Sequence, residues 1–260
     1  MSETNPHLKA IVREVSRRFA DCELTYIDRE SIDIGRAREQ HAAYVETLSR
    51  LGVEVVVLPE EAELPDSTFV EDTAVVLDEI AVMCPVGAAS RKPESKSVAI
   101  ELCKYRPVKG LNGNSSMDGG DVLQIGQTVY VGGSARTNKF AEDELKKLVY
   151  PYGYSLKAVR TTGCLHLKTG CTYVGRGIVL INREWIDAWE LDSVRLLDVP
   201  VDEPFGANVL KIEETLVVPA SSPKTADLLR RQNFDVRTVD ISEFQKAEAG
   251  VTCLSLVFST

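Results

Sequence analysis

Apolar and polar positions follow two different spacings along this chain. Residues 36–52 carry apolar side chains at helical spacing and stop at Gly52, so they predict an amphipathic helix. The apolar run at 53–59 then predicts a buried strand. Further on, short apolar runs come in pairs around turn residues, which is typical of β-hairpins. The predicted hairpins span residues 69–87, 119–133, 172–182 and 208–220.

Helical patterns lie between these hairpins. They cover residues 96–105, 140–153 and 224–235, and a further strand follows the last of them. A final apolar run at 253–258 predicts a strand whose partner comes from another part of the chain. Together these elements predict an α/β fold built from repeated helix and hairpin units.

A polar cluster precedes each hairpin and the final strand. The clusters are Glu71-Asp72, Asp118 to Asp121, His166 to Lys168, Asn208 and Thr252-Cys253. Successive clusters lie about 42 to 49 residues apart, a period found in radial repeats such as propellers. This spacing favours five modules whose clusters converge on a common axis, with the active site in a central well. The alternative is an open α/β sheet in which helices and hairpins alternate.

Composition and charge narrow the class of protein. The 260 residues are 44% hydrophobic and 27% charged, which is typical of a globular protein, and we expect a single domain over residues 1–260. The formal charge of −9 argues against nucleic-acid binding and suits a cationic ligand. Apolar runs are too short to span a membrane, and charges interrupt residues 1–19 where a signal peptide is apolar. We therefore expect a cytoplasmic protein.

Cysteine and histidine are the candidate reactive residues. The six cysteines and three histidines have neither zinc-binding spacing nor a disulfide framework, so we expect reduced thiols and no metal. Cys253 stands in GVTCLSLVF and His166 in GCLHLKT. The thiolate is the reactive form of cysteine, and a positioned imidazole or a cationic substrate can promote its formation. The alternative is that Cys253 is a small buried residue and His166 a hydrogen-bonded core histidine.

Five strings, in order, resemble the dimethylarginine dimethylaminohydrolase family of the guanidino-group-modifying superfamily. They are PDSTFVEDTAVV, MDGGDVL, GGSARTN, GCLHLKT and GVTCLSLV, and the similarity runs from LKAIVREV near the start to the last strand. The resemblance implies a five-module β/α propeller with pseudo-fivefold symmetry around a central active-site pore. It also implies an enzyme without a cofactor that hydrolyses Nω-methylated arginine to citrulline and dimethylamine or methylamine.

The resemblance also implies catalytic roles. Cys253 matches the nucleophile that forms a covalent thiouronium adduct, and His166 matches the general acid and base. Asp118 matches the residue that orients the imidazole. Asp121, three residues further on, is an alternative that could pin the glycine turn or contact the site.

Three carboxylates and two arginines match substrate contacts of the family. Glu71 and Asp72 would bind the cationic guanidinium, since carboxylates accept bidentate, charge-assisted hydrogen bonds from this planar group, and Asp66 matches a further substrate contact. Arg91 and Arg136 match residues that bind the α-carboxylate of the substrate. On residue type alone, the acidic pair could simply cap a strand, and the arginines could be solvated.

Two weaker matches involve the backbone. Leu24 lies in a segment that matches the lid of the family, and Ala247 would contact the substrate through its carbonyl group. Lys168 and Asn208 belong to the repeated polar clusters, and we interpret them as supporting or pore-lining residues. A small cationic guanidino compound is the expected partner, and the protein is expected to be a monomer or a homodimer.

Other functions remain open at the level of the residues. An arginine deiminase or an amidinotransferase of the same superfamily would use similar groups, and the space around the methyl groups would distinguish them. A non-catalytic propeller that binds a protein partner predicts an unreactive thiol. A cysteine peptidase would need an oxyanion hole and a cleft for an acyl substrate rather than an acidic pair.

Overall fold

The computed structural model describes residues 7–260 of the chain. Residues 1–6 lie outside the described residues. They belong to the segment 1–19, whose charges argue against a signal peptide. Within 7–260, fifteen strands form five three-stranded sheets, each with one antiparallel pair and one parallel pair. The predicted α/β class is confirmed. In the same range, every helix is too short or too polar to cross a lipid bilayer.

Each sheet is one repeat of the same unit. The first sheet contains β1 (Leu8–Arg13), β2 (Glu54–Leu58) and the last strand of the chain, β15 (Leu256–Ser259). The other four sheets each use three consecutive strands: β3 (Ala74–Val76), β4 (Ala81–Met83) and β5 (Val108–Gly110); β6 (Val122–Ile125), β7 (Thr128–Gly133) and β8 (Ser155–Arg160); β9 (Cys171–Gly175), β10 (Ile178–Ile181) and β11 (Arg195–Asp198); β12 (Leu210–Ile212), β13 (Thr215–Pro219) and β14 (Asp235–Val239).

Helices connect the parallel strands of most units. The helices are α1 (Ile34–Arg50), α2 (Ser95–Leu102), α3 (Lys139–Val149), α4 (Leu167–Gly170), α5 (Pro223–Arg231) and α6 (Ser242–Gln245). Of these, α1, α2, α3 and α5 each join the middle strand of a sheet to its parallel neighbour, as parallel pairing requires a crossover. In the fourth sheet the crossover contains only a 3-10 turn at Ala188–Glu190.

The predicted hairpins and the last strand occur where the apolar pairs placed them. Their turns fall at Asp78-Glu79, Gly126-Gln127, Arg176-Gly177 and Glu213-Glu214. The partner of β15 is β1, with Ile11 opposite Leu256, so the two ends of the chain close one sheet. The third, parallel strands β5, β8 and β11 were not predicted from the apolar pattern, whereas β14 is the strand predicted after the last helix.

Both ends of α1 are determined by local sequence. Asp33 caps the start, where its side chain accepts the Arg36 amide at 3.0 Å. At the other end Gly52 has φ +84°, and the Val53 amide donates to Leu48 O at 3.1 Å, which is the Schellman pattern.

Strand β2, which follows α1, differs from the prediction of a buried strand. Only Leu58 of β2 is buried, because β2 is an edge strand paired with β1 alone.

The apolar core is divided among the contacts between sheets. Five clusters of buried side chains occur in the described residues, and each joins two neighbouring sheets. The clusters join the first sheet to the second, the second to the third, and so on until the fifth meets the first again. Each sheet therefore packs through buried apolar side chains against one neighbouring sheet on each of its two sides.

A short turn precedes the antiparallel edge strand of every sheet (β15, β3, β6, β9 and β12), in the positions of the five polar clusters. These turns lie at Val70–Thr73, Gly119–Asp121, Leu167–Gly170, Pro204–Ala207 and Thr252–Leu254. Hydrogen bonds connect each turn, with its flanking residue, to the next, and we call this set the turn ring. The bonds are Thr252 Oγ1 to Glu71 at 2.7 Å, Gly120 N to Asp72 at 3.2 Å, Leu167 N to Asp121 at 2.9 Å, Asn208 Nδ2 to Lys168 O at 2.9 Å and Thr252 N to Asn208 at 3.1 Å.

The close approach of two turns of this ring can be tested with a glycine. A Cβ on Gly119 would overlap the Glu71 carbonyl oxygen, whereas a Cβ on Gly110 would meet open space. We expect Gly119→Ala to lower the free energy of unfolding by about 2 kcal/mol or more, since backbone atoms cannot yield as a side chain does. Gly110→Ala is the control, expected to be neutral or slightly stabilising. Urea unfolding of both variants measures this, and equal stabilities would contradict the close packing of the ring.

Candidate active site

The thiol of Cys253 lies at the start of the last strand. Its 3-10 turn, Thr252–Leu254, leads into β15, and the Gly250 amide donates to Cys253 Sγ at 3.4 Å. Burial, followed by the charges of Glu71 and Asp72, raises the pKa of the Cys253 thiol well above its ordinary value. At neutral pH the thiol is therefore protonated until a cation compensates these carboxylates.

The candidate base, His166, is hydrogen-bonded to Asp118, the carboxylate that the family resemblance favoured. His166 is buried at the start of α4, and its Nε2 lies 2.9 Å from Asp118 Oδ2. The other oxygen of Asp118 accepts the Gly87 amide at 2.7 Å, which fixes the carboxylate. Asp121 instead accepts the Leu167 amide, so it holds the backbone beside the imidazole.

Carboxylates dominate the charge state of His166. Burial alone would lower its pKa, but Asp72, Asp118 and Asp121 outweigh burial and raise the pKa to about 9. The Nδ1 atom lies 3.9 Å from Asp72 Oδ1. His166 is therefore an imidazolium at neutral pH and holds a proton that it can donate.

Asp72 is the centre of a buried charge network. It accepts Arg91 Nη1 at 2.8 Å, and Arg91 also donates to Glu94 at 3.0 Å. Burial acts to raise the pKa of Asp72, but the charges of His166 and Arg91 outweigh it and hold that pKa below the usual range. Burial raises the pKa of Glu94 to about 7 against the opposing effect of Arg91. Of the two carboxylates that contact Arg91, Asp72 is thus the one that is fully ionised at neutral pH.

The carboxylate of Glu71 is hydrogen-bonded to Lys168, whereas that of Asp72 is hydrogen-bonded to Arg91. Oε1 of Glu71 accepts Lys168 Nζ at 2.6 Å and its Oε2 accepts Thr252 Oγ1 at 2.7 Å. Burial raises the pKa of Glu71, and Lys168 partly opposes that shift. Each carboxylate oxygen can accept a second hydrogen bond, so both Glu71 and Asp72 retain capacity for a planar cation.

Asn208 holds the turn that carries Cys253. Its Nδ2 donates to Thr252 Oγ1 at 2.9 Å and to Lys168 O at 2.9 Å, and its Oδ1 accepts the Thr252 amide at 3.1 Å. Gly250 has to be small, because a Cβ there would overlap the Asn208 side chain. Asn208 therefore contacts Thr252, directly before Cys253, while Lys168 contacts Glu71 and Asn208.

Asp66 and Leu24 lie where one segment crosses the site. The buried carboxylate of Asp66 accepts the Glu23 amide at 3.3 and 3.2 Å, directly before the half-buried Leu24. Burial, opposed by Arg91, raises the pKa of Asp66. This contact connects the segment around Leu24 to the rest of the site.

The two arginines differ in their surroundings. Arg91 is 5% exposed and is committed to Asp72 and Glu94, so binding a substrate carboxylate would require an exchange of partners. Arg136 is half-buried and donates to Thr25 Oγ1 at 3.0 Å. Ala247 is buried beside α6. Arg136 is therefore the more available cation for an anionic group.

Asp72, Asp118 and His166 also form a possible metal-binding set. One ligand atom from each lies within 4.8 Å of the others. A metal would have to displace the proton of His166 and the Asp118 hydrogen bond, and metal binding requires a neutral imidazole. The raised pKa of His166 therefore favours the proton over a metal at neutral pH.

Several supporting residues were not identified from the sequence. They are Glu94, Gly250, Ser134 and Thr137, the last two donating to Asp121 at 2.5 and 2.6 Å. The only signal for Glu94 was its position three residues after Arg91, one helical turn away. The others lie in loops, where spacing does not reveal which side chains meet.

Comparisons with known proteins identify the family. Residues 24–197 match the family model described as N,N dimethylarginine dimethylhydrolase, eukaryotic. The chain is 38% identical to an N(G),N(G)-dimethylarginine dimethylaminohydrolase of Streptomyces coelicolor, over 96% of this chain and 97% of that relative. The resemblance read from the motifs is confirmed: the chain belongs to the dimethylarginine dimethylaminohydrolase family and is a hydrolase.

Solved structures of this family share the fold. A cysteine-to-serine variant from Pseudomonas aeruginosa, complexed with citrulline, superposes with a TM-score of 0.92 at 30% identity, covering 96% of this chain and 98% of that one. A histidine-to-glycine variant, solved as an adduct with S-methyl-L-thiocitrulline, also gives a TM-score of 0.92 at 30% identity, covering 98% and 100%.

Titration of His166 tests the electrostatics of the site. We expect its ring protons to titrate near pH 9 and those of His41, whose pKa burial lowers to about 4, near pH 4. Since the unfolded pKa is roughly 6.5, protonation of His166 stabilises the fold fully below that pH, and this contribution is lost as pH rises through 9. NMR measures both midpoints, and His166→Gln assigns the signal. Asp118→Asn should lower the midpoint of His166, and a midpoint near 6.5 in the unmodified protein would contradict the network.

Proposed function

We propose that this chain hydrolyses Nω-methylated L-arginine to L-citrulline and dimethylamine or methylamine, with Cys253 as nucleophile. The observation that carries the proposal is the buried set of His166, Asp118 and Asp72 next to a thiol whose pKa is raised by burial and by the charges of Glu71 and Asp72. Such a site has excess negative charge until a cation enters. A guanidinium is a planar cation that matches paired carboxylates.

The solved relatives support the choice of residues. The cysteine and the histidine that were substituted in them stand the same number of positions apart in their own numbering as Cys253 and His166 do here. One of those variants holds citrulline and the other an adduct of a thiocitrulline. Both observations fit a cysteine nucleophile and a histidine proton carrier.

The first half of the reaction would form an adduct. A guanidinium bound at Glu71 and Asp72 would offset their charge and lower the pKa of Cys253, so that the thiol loses its proton to water and becomes the thiolate. Sγ then attacks the guanidinium carbon, and the bond from that carbon to the methylated nitrogen breaks. The departing amine takes the proton that His166 holds at neutral pH, leaving a thiouronium adduct.

The second half would release citrulline. Neutral His166 removes a proton from a water molecule, which adds to the adduct carbon. The C–S bond breaks, the hydroxyl proton of the adduct passes to the leaving sulfur, and citrulline leaves with the imidazolium and the thiol restored. Asp118 stabilises the imidazolium at both stages because it accepts from Nε2.

Other candidate residues would bind the remainder of the substrate. We propose that Arg136 and Arg91 bind the α-carboxylate, with Arg91 exchanging part of its contact with Asp72. Asp66 would bind a cationic group of the substrate. Leu24 would contact the substrate through the segment that crosses the site, and Ala247 through its carbonyl group.

We also propose that residues 1–260 form one catalytic domain arranged as a five-module propeller around the site. The circular succession of apolar clusters supports a closed arrangement of the sheets, and so does the turn ring. In such an arrangement the five turns meet at a pseudo-fivefold axis. The expectation of a monomer or a homodimer remains a prediction.

We propose a cytoplasmic location on the basis of the thiols. All six cysteines, which lie within residues 7–260, are unpaired. Unpaired thiols persist in reducing compartments. Oxidation of Cys253 would remove the nucleophile, which makes a reducing environment a requirement of the proposed chemistry.

The function is tested by citrulline release from asymmetric dimethylarginine, monomethylarginine and arginine in parallel. We expect turnover of the two methylated compounds in preference to arginine. Cys253→Ser should lower kcat by about a thousandfold or more, since a hydroxyl is a far weaker nucleophile than a thiolate. Cys103→Ser, at an exposed cysteine remote from the proposed chemistry, is the matched control. Turnover of arginine alone would assign a deiminase instead, and an active Cys253→Ser variant would exclude the mechanism.

Alkylation tests the raised pKa of Cys253. The rate of modification by iodoacetamide, followed by mass spectrometry of the Cys253 peptide, should still increase between about pH 9 and pH 10, whereas free cysteine levels off above its pKa of about 8.5. The physical reason is the burial of the thiol beside Glu71 and Asp72. A plateau near neutral pH would indicate a preformed thiolate and contradict the need for a cationic substrate.

A further inference from the structure

Glu248 binds three consecutive backbone amides of the segment that crosses the site. Its Oε2 accepts the Thr25 amide at 2.9 Å, and its Oε1 accepts the amides of Tyr26 and Ile27, the latter at 2.9 Å. Residues 22–33 contain neither helix nor strand, so these contacts replace the backbone pairing that a regular element would have. A carboxylate that accepts several amides makes strong, charge-assisted hydrogen bonds.

The backbone at Glu248 indicates that this side chain has a specific position. Glu248 has φ +60°, in the left-handed region that disfavours residues other than glycine and asparagine. It directly follows Ala247 and precedes the turn of Cys253 in sequence. An unfavourable backbone conformation at a functional loop is maintained when other contacts compensate for it, and the three amides supply such contacts.

A cavity lies between this segment and the turn of the thiol. It has a volume of about 390 Å³, and its lining includes Ile27, Glu30, Glu248 and Gly250. Gly250 is the residue whose amide donates to Cys253 Sγ. Ile27 and Glu30 therefore line a cavity whose lining also includes Gly250, the residue that contacts the nucleophile.

The same segment contacts two candidate substrate-binding residues. Arg136 donates to Thr25 Oγ1 at 3.0 Å, and Asp66 accepts the Glu23 amide at 3.2 Å. Glu248 approaches the segment from the opposite end of the chain, through the loop that follows α6. The position of residues 23–27 is thus determined jointly by groups on both sides of the site.

We propose that Glu248 is a positioning residue that holds residues 25–27 closed over the candidate active site. It does not touch the reacting atoms; it acts by fixing the segment that contains the backbone contact at Leu24. The proposal rests on the proposed function for its effect on turnover, while the contact itself is independent of that function. Loss of the Glu248 carboxylate opens the segment, weakens substrate binding and leaves the chemical groups in place.

Glu248→Gln is the test variant, because it keeps the shape and the backbone but removes the charge. Glu213→Gln is the matched control, since Glu213 is an exposed glutamate that also has positive φ, +49°, at a hairpin turn. With asymmetric dimethylarginine we expect Glu248→Gln to raise KM about tenfold and to change kcat by less than about threefold. The control should match the unmodified protein in both constants.

Hydrogen exchange provides the measurement that does not depend on activity. In the unmodified protein and in Glu213→Gln, the amides of residues 25–27 should be protected, and in Glu248→Gln this protection should fall by about tenfold or more. Protection elsewhere should be unchanged, which excludes general unfolding. Unchanged exchange at 25–27 would overturn the proposal, and so would lost protection with an unchanged KM. If methylated arginines are not turned over at all, the proposed function fails, and exchange alone decides the role of Glu248.

Discussion

The turn ring is the constraint on which the site depends. Its five hydrogen bonds join turns that are far apart in sequence, such as Thr252 to Glu71 and Asp121 to Leu167. Because every turn precedes the antiparallel edge strand of a sheet, the ring fixes the relative positions of the sheets and of the polar groups together. The apolar clusters between neighbouring sheets stabilise the same closed order. A displacement of one turn would therefore move both the core and the chemistry.

Charge balance is the second constraint. Asp72, Asp118 and Asp121 are buried close together, and such a group is unfavourable unless cations are buried with it. The imidazolium of His166 and the guanidinium of Arg91 provide that compensation. One consequence is the raised pKa of His166, which keeps a proton available at neutral pH. Burial, followed by the charges of Glu71 and Asp72, also raises the pKa of Cys253, so formation of the thiolate depends on an additional cation.

Carboxylates also hold the segment around Leu24, at the outer side of the site. It has no regular secondary structure, and its backbone amides are bound by carboxylates of Asp66 and Glu248. The contacts of the segment thus come from the same loops that hold the candidate substrate-binding groups. Substrate binding and the position of the segment are physically coupled through those loops.

Local sequence determined the elements of this protein and the types of its reactive residues. Apolar spacing places α1, the four hairpins and β15, since helical and strand periodicities depend only on neighbouring residues, and the five polar clusters mark the turns of the ring. The family followed from the motifs. Asp118, which contacts the imidazole, is the residue that the motif resemblance favoured over Asp121. Tertiary structure alone decided that β2 is exposed at a sheet edge and that Arg91 is paired with Glu94. These depend on side chains brought together from distant positions, and so does the contact of Glu248 with residues 25–27, which no spacing in the sequence encodes.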